Sequence, residues 1–166
     1  MSNILDLSGA DTSGFEAIDA GSYNATVFEV ELVETSGQGK LPQGVPMAKV
    51  QFAIQDDGPA KNRRIFNNYP LPNNEQSENA SIMQGNFVKF LTALGEDEKK
   101  IKTKGFDLSS LEDLVGKPCV IKVAKEVYKR DPADEETWQM TNPVKSVKPA
   151  GSPVGTVGPS ANSDLL

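Results

Sequence analysis

The sequence predicts a mostly β fold, a small five-stranded antiparallel barrel with one helix between its third and fourth strands. Five stretches rich in β-branched and aromatic residues alternate with polar residues, and Gly, Pro and Asp clusters separate them. Only one stretch has persuasive helical spacing, and it falls between the third and fourth of these runs. A chain of 166 residues is long enough for one packed domain and too short for two full-sized ones.

The first three strands are separated by strong turn signals. The first runs from 21 to 34, and its apolar face switches at Val27–Phe28, which predicts a β-bulge or a coiled strand. A glycine- and proline-broken loop leads to the second strand at 48–54. The Asp-Asp-Gly-Pro turn at 56–59 then leads to the third strand at 65–71.

The predicted helix lies between Ser77, an N-cap residue, and Gly95, a C-cap residue. Its apolar stripe should face the core and consists of Ile82, Met83, Phe87, Phe90, Leu91 and Leu94. A short helix is also compatible with 107–115. The fourth strand is predicted at 118–128 and the fifth at 136–147.

Three strands, a helix and two further strands are the element order of the oligonucleotide-binding (OB) barrel. A sheet with one packed helix is the nearest competitor, and periodicity does not separate the two. We expect this OB-like domain over 21–148. Residues 1–20 then form a flexible acidic N-terminal arm with two apolar islands, Ile4–Leu7 and Phe15–Ile18, that allow docking. Residues 149–166 form a disordered C-terminal tail.

Charge is segregated along the chain. All 17 Lys and Arg residues lie between Lys40 and Lys148, whereas the first 39 residues carry seven carboxylates and no base. Because the net charge is −6, binding to a polyanion would depend on local potential rather than total charge. The pattern favours a basic central face flanked by acidic arms.

The sequence contains few residues of the types that usually support catalysis. The chain has no His, and Cys119 is the single Cys, expected as a small buried hydrophobe, so neither an intrachain disulfide nor a Cys/His zinc site can form. Carboxylate pairs lie in polar stretches where no burial would raise a pKa for acid catalysis, and no Walker or dinucleotide motif occurs. We expect no enzyme activity, no cofactor and no metal. No long apolar run or signal-peptide pattern occurs, so a cytoplasmic location is expected.

Several short motifs occur in the order found in a known family. They are Gly21-Ser22-Tyr23, Val50–Ile54, Lys61–Phe66, Phe90–Gly95 and Leu114–Lys117. Over roughly 21–149, this order of elements and turns resembles a family of short phage and prophage proteins found with replication and recombination genes and regarded as single-stranded-DNA-binding proteins. The resemblance implies an OB fold, no catalysis, cooperation with phage replication or recombination proteins and, for a phage-encoded protein, the host cell cytoplasm.

The last four residues resemble a recruitment tail. Better-known single-stranded-DNA-binding proteins end in an acidic tail with a hydrophobic tip that recruits partners. Ser163-Asp164-Leu165-Leu166 looks like a reduced version with one side-chain carboxylate. The resemblance makes phage or host replication and recombination proteins candidate partners through the C-terminal tail.

Two predicted hairpins carry the candidate DNA-binding residues. Single-strand binders need backbone-tracking cations beside flat stacking surfaces, because every base has a π-face. The candidates are Lys61, Arg63, Arg64, Phe66 and Tyr69 near the second turn, and Lys122, Lys125, Tyr128, Lys129, Arg130 and Trp138 in the last hairpin. Each residue alone is explained as a core aromatic or a solvated charge, but the combination favours binding. Trp138 is the best stacking candidate and Tyr128 the second.

The sequence therefore predicts a non-enzymatic protein that coats single-stranded DNA with little sequence preference and supports phage DNA replication and recombination. The leading alternative is a protein-interaction module in a recombination or virion-assembly complex. A metal-dependent hydrolase using carboxylates is the least favoured. The base-free arm is a further hypothesis: it would occupy the basic groove and compete with DNA.

Overall fold

The computed structural model of the protein describes residues 4–8, 17–129 and 131–156. Its strands within these ranges are β1 (Gly21–Glu34), β2 (Pro46–Ile54), β3 (Arg64–Pro70), β4 (Pro118–Val123), β5 (Glu126–Lys129), β6 (Trp138–Thr141), β7 (Val144–Pro149) and β8 (Gly155–Thr156). Its α-helices are α1 (Ala80–Ala93) and α2 (Glu98–Lys104), and 3₁₀ segments cover Leu108–Leu114 and Glu135–Thr137.

Five strands form one curled antiparallel sheet, a half-barrel, in the order β3-β2-β1-β4-β7. The short β8 pairs with the start of β1, and β5 and β6 form a separate two-stranded ribbon. The prediction of a mostly β protein is confirmed, and the sheet is consistent with an OB-like fold.

β1 bends at a bulge, as the switch of its apolar face predicts. Its register with β2 shifts between Val27 and Glu29. Before the bulge, every second side chain, including that of Tyr23, is buried. After it, Val30 packs against the core, and Phe28 at the bulge is 46% exposed. The extra residue of a bulge is thus turned to the surface of the sheet.

Three helical segments lie between β3 and β4, and one of them, the 3₁₀ segment Leu108–Leu114, falls within the short helix considered at 107–115. α1 is the predicted one, and its Phe90 packs edge-on against Phe52 of β2 with 5.9 Å between ring centroids. α2 begins after Asp97, whose side chain accepts hydrogen bonds from two backbone N–H groups of the first turn. Sequence periodicity missed α2 because none of its residues is buried, so it has no apolar stripe.

The predicted fourth and fifth strands each divide in two. The fourth breaks between β4 and β5 at Ala124, and the fifth between β6 and β7 at Asn142-Pro143. The Ala124 N–H donates to the Pro143 carbonyl over 3.0 Å at this joint. Because Pro143 has no N–H, it does not continue the hydrogen-bond ladder between strands. The β5–β6 hairpin therefore projects away from the sheet.

The packed body extends beyond the predicted 21–148 at both ends. Ile18 lies in the core at 6% exposure, and β8 pairs with Gly21 and Ser22. A Cβ atom on Gly21 would lie 2.3 Å from the Gly155 carbonyl oxygen, so glycine is required there. Docking of the second apolar island is confirmed at Ile18, whereas Phe15 and the tail from 157 onward lie outside the described residues. In the described ranges no helix is long and apolar enough to cross a membrane.

Candidate nucleic-acid interface

A cleft of about 340 Å³ opens between β3 and the connection from β6 to β7. Its lining residues are Ala17, Arg63, Arg64, Ile65, Phe66, Met140, Thr141, Asn142 and Pro143. The fold therefore brings together the two predicted hairpins, which are far apart in the sequence. Three of the predicted DNA-binding residues, Arg63, Arg64 and Phe66, line one wall.

Phe66 presents an aromatic ring to solvent from the middle of β3, with 62% of the residue exposed. It lies opposite Gln51 of β2, whose side-chain amide donates to the Glu29 carboxylate over 2.8 Å. The ring is thus carried by a paired strand and has polar neighbours on the same face. An exposed ring on a rigid strand is the kind of surface on which a base can stack.

Arg64 stacks on Phe28, with its guanidinium carbon 3.5 Å from the ring centroid. This cation–π contact restrains the side chain, while the N–H groups at the edge of the guanidinium remain suited to hydrogen bonds with a phosphate. Sequence reasoning did not select Phe28. The sequence did contain a signal for Phe28, because the predicted bulge falls at this residue and a bulge changes the direction of its extra side chain.

The second predicted cluster is divided between the two faces of the β5–β6 hairpin. Lys129 pairs with Trp138, and Val127 pairs with Met140, so these four share one face. Met140 lines the cleft, which places Trp138 on the cleft side of the hairpin. Tyr128, 58% exposed, occupies the other face, so the two stacking candidates do not share a surface.

One face and the N–H edge of Trp138 already have protein contacts. Lys129 Nζ lies 4.4 Å from the centroid of the indole ring, and the indole N–H donates to the Asp131 carbonyl over 2.9 Å. Trp138 is half-buried as a result. It is available to report on the cleft by fluorescence, but Phe66 is the more open aromatic surface.

The other predicted cations are more dispersed. Lys61 pairs with Asp57 over 2.9 Å, and Lys125 lies 3.9 Å from the Asp19 carboxylate. Exposed pairs of this kind contribute little stability and are exchanged easily. Lys122 is exposed on β4 and is absent from the lining of the cleft. Arg130 lies outside the described residues.

Tyr69, a predicted DNA-binding residue, lies in the core and does not line the cleft. Tyr69 is 5% exposed, and its ring stacks on Phe90 with 4.8 Å between centroids. Burial raises the pKa of Tyr69 to about 12, against an opposing hydrogen bond from the Asn67 side chain. The reason is strand alternation, because Tyr69 lies on the same face of β3 as the buried Ile65, opposite to Phe66.

Negative charge borders the site on two sides. The turn of the β5–β6 hairpin carries exposed carboxylates at Asp131, Asp134, Glu135 and Glu136. On the outer face of β1, Glu29 and Glu31 lie opposite Gln51 and Lys49. The basic side chains that line the cleft are Arg63 and Arg64, at the start of β3.

Little else in the described residues suggests reaction chemistry. No group of three or more His, Cys, Asp or Glu residues in these ranges is placed to hold a metal ion. Cys119 is buried, as predicted, and burial raises its pKa to about 12.

Comparison with known families gives a match over most of the chain. A family described as "Protein of unknown function (DUF669)" matches residues 5–155. The chain belongs to this family. The matched span contains both walls of the cleft, the β5–β6 hairpin and all of the strands except the last residue of β8. No curated protein matches this DUF669 chain.

Proposed function

We propose that the protein binds single-stranded DNA, with little sequence preference, in the cleft between β3 and the β5–β6 hairpin, and that it supports phage DNA replication or recombination. The main support for the proposal is that Phe66, Arg63 and Arg64 line one cleft together with residues of the hairpin. Non-specific single-strand binders combine these two elements, a cationic groove for the backbone and aromatic rings for the bases.

The topology supports the same location. We propose that the half-barrel is an OB barrel whose fifth strand is β7. The β5–β6 hairpin then replaces the loop between the fourth and fifth strands. In OB folds this loop and the face of the second and third strands bind oligonucleotides. Phe66 lies on the third strand, and Met140 belongs to the hairpin, so the cleft joins the two elements that this fold uses.

The charge distribution supports a path along β3. Phosphates would be attracted by Arg63 and Arg64 and repelled by Glu29 and Glu31 on β1. A strand lying along β3 keeps its backbone near the arginines and away from the β1 carboxylates. The net charge of −6 limits non-specific attraction elsewhere on the molecule.

The decisive experiment titrates oligo-dT into the full-length protein at low and moderate salt, with Trp138 fluorescence and mobility shift as readouts. We expect a saturable complex whose log affinity falls with log salt by about 0.7 for each phosphate neutralised. Absence of a complex at low salt would contradict the proposal. A shift in mobility without a change in fluorescence would support DNA binding and show that Trp138 does not contact the bound strand.

A matched pair of variants tests the contribution of Arg64. We expect Arg64→Gln to reduce the salt slope by about 0.7, because one phosphate contact is lost. Lys148→Gln removes an equal charge at an exposed position on β7 outside the cleft and should leave the slope closer to that of the wild type. Equal slopes for the two variants would place Arg64 outside the interface.

A second candidate function has its own observation. The β5–β6 hairpin exposes large apolar residues on both faces next to its acidic turn, Val127 (47%) and Met140 (46%) on one face and Tyr128 (58%) on the other. Such a surface is also suited to a protein partner, as expected for an interaction module in a recombination or virion-assembly complex. This candidate predicts no salt-sensitive complex with oligo-dT.

A further inference from the structure

A second cavity continues the cleft along the open seam of the half-barrel. β3 and β7 are the two edge strands of the curled sheet, and they run in the same direction because each neighbouring pair between them is antiparallel. Between them and α1 lies a pocket of about 320 Å³. The β3 lining of the cleft ends at Phe66, and that of the pocket begins at Asn67. On the opposite wall the change occurs between Pro143 and Val144, so the two cavities form one groove.

The pocket has a polar rim and an apolar floor. Asn67, Asn68 and Asn86 contribute amide side chains, while Tyr69 and Phe90 contribute the aromatic floor. Positive charge comes from Lys89 of α1 and from Lys145 of β7, whose ammonium group also pairs with the Glu126 carboxylate over 2.8 Å. The Ser146 hydroxyl also belongs to this wall, and within the described part of the chain it is buried without a hydrogen-bond partner.

The width of the seam excludes an added β-strand. A strand inserted between β3 and β7 would separate them by about 9.5 Å, twice the normal spacing. Cα atoms of these two strands approach within 8 Å, so the seam is too narrow at that point. Its volume is at the small end of ligand pockets, which span about 300–1,000 Å³. A small ligand therefore fits the space better than a peptide does.

The chemistry of the rim matches a nucleobase. Each amide side chain offers both donors and an acceptor, the combination that pairs with the edge of a base. Lys89 at the rim suits the backbone phosphate of the same nucleotide. The groove from Arg63 to Pro70 is about 23 Å long at 3.3 Å per residue, and it would hold a strand at the short end of the roughly 4–16 nucleotides bound by one OB fold.

We propose that the seam pocket takes one nucleobase at one end of the bound strand. This inference rests on the proposed function and refines it. In the cleft, bases stack without discrimination. In the pocket, one position of the bound strand must carry a base for full affinity. Asn68 and Asn86 would read the edge of that base.

The experiment uses oligo-dT of the shortest length that still binds, with one abasic residue moved through each position. In the wild type, we expect an abasic residue at one near-terminal position to weaken binding at least about five-fold more than at the others. In an Asn68→Ala/Asn86→Ala variant, this excess should disappear while salt-sensitive binding remains. Both residues are exposed, so folding should be retained. Asn74→Ala, an exposed position outside the pocket, is the control.

Each outcome has a distinct meaning. A uniform abasic effect with salt-sensitive binding intact overturns the seam pocket and leaves the proposed function standing. An excess that persists in the double variant also overturns the pocket assignment. No binding of any oligonucleotide overturns both. As a measurement that needs no variant, the side-chain amide NMR resonances of Asn68 and Asn86 should shift on binding and that of Asn74 should not; unshifted Asn68 and Asn86 resonances overturn the pocket.

Discussion

Phe66 and Tyr69 lie three residues apart on β3 and have opposite roles. Odd spacing along a strand places two side chains on opposite faces, so Phe66 is open to solvent while Tyr69 stacks in the core on Phe90. Sequence reasoning selected both as aromatic neighbours of Arg63 and Arg64. The spacing alone shows that only one of them can face the cleft, and the structure identifies which one.

Phe66→Ala should weaken single-stranded-DNA binding by about 1–3 kcal/mol, or roughly five-fold to more than a hundred-fold in Kd, because one stacking surface is lost. The thermal midpoint should change little, since Phe66 is 62% exposed. Ile82→Ala is the matched control, because Ile82 is 66% exposed on α1 and does not line the cleft. Equal affinities for the two variants would contradict a stacking role for Phe66.

Tyr69→Phe should leave oligo-dT affinity close to that of the wild type, because the ring that it retains is part of the core. Tyr69→Ala should instead lower the free energy of unfolding by about 3–5 kcal/mol, the usual cost of removing a buried aromatic ring. Denaturant unfolding measures this loss. A Tyr69→Phe variant that folds normally and loses DNA binding would contradict this expectation and show that the Tyr69 hydroxyl takes part in binding.

At the scale of elements, the β5–β6 hairpin is held to the body through Asn142. The Asn142 side chain accepts a hydrogen bond from the Ile18 N–H over 2.9 Å and donates to the Ile18 carbonyl over 2.8 Å. It also donates to the Ala124 carbonyl over 2.9 Å. One amide thus joins the N-terminal segment to both strand connections at the base of the hairpin. Nothing in a single sequence connects residues 18, 124 and 142.

Asn142→Ala should destabilise the fold by about 1–3 kcal/mol, because partly buried backbone groups of Ile18 and Ala124 lose their partner. For a domain of this size that corresponds to a fall in Tm of about 2–4 °C per kcal/mol. Differential scanning calorimetry measures the change. Asn74→Ala, at an exposed site, is the control, and a Tm equal to that of the control would contradict this role of Asn142.

At the scale of the whole molecule, the acidic N-terminal segment ends beside the cationic cleft. Ala17 lines the cleft, Ile18 enters the core, and Asp19 lies 3.9 Å from Lys125. The last residues of the arm are therefore anchored close to Arg63 and Arg64. The hypothesis that the arm competes with DNA can therefore be tested by truncation. The truncation must end before Ile18, because Ile18 belongs to the core.

Deletion of residues 1–16 should raise the affinity for oligo-dT at low salt, because three carboxylates of the acidic arm are removed while Ile18 is kept. The gain should shrink as salt screens the charges. The full-length Asp6→Asn/Asp11→Asn/Glu16→Gln variant should reproduce it without loss of chain. If neither protein binds more tightly, the arm does not compete with DNA.

Deletion of residues 1–19 is the informative contrast. It also removes Ile18, so it should lower Tm in addition to any change in affinity.

The sequence by itself determined the local structure and the composition of the site. Alternation located the strands and the bulge at Phe28, turn residues separated them, and the segregation of charge identified the hairpins that carry Arg64 and Lys129. It did not locate α2, whose residues are all at least partly exposed, or the joint at Asn142. Periodicity reports which positions repeat along one segment, and that information is local.

Only the tertiary structure decided which residues meet. Arg64 and Met140 line the same cleft because β3 and β7 form the two edges of the curled sheet and the hairpin extends from the β7 edge. That adjacency depends on strand order and on the curl of the sheet, which are set by packing of the whole core rather than by the residues near Arg64 or Met140. The same packing turned Tyr69 inward, left Phe66 open and created the seam pocket.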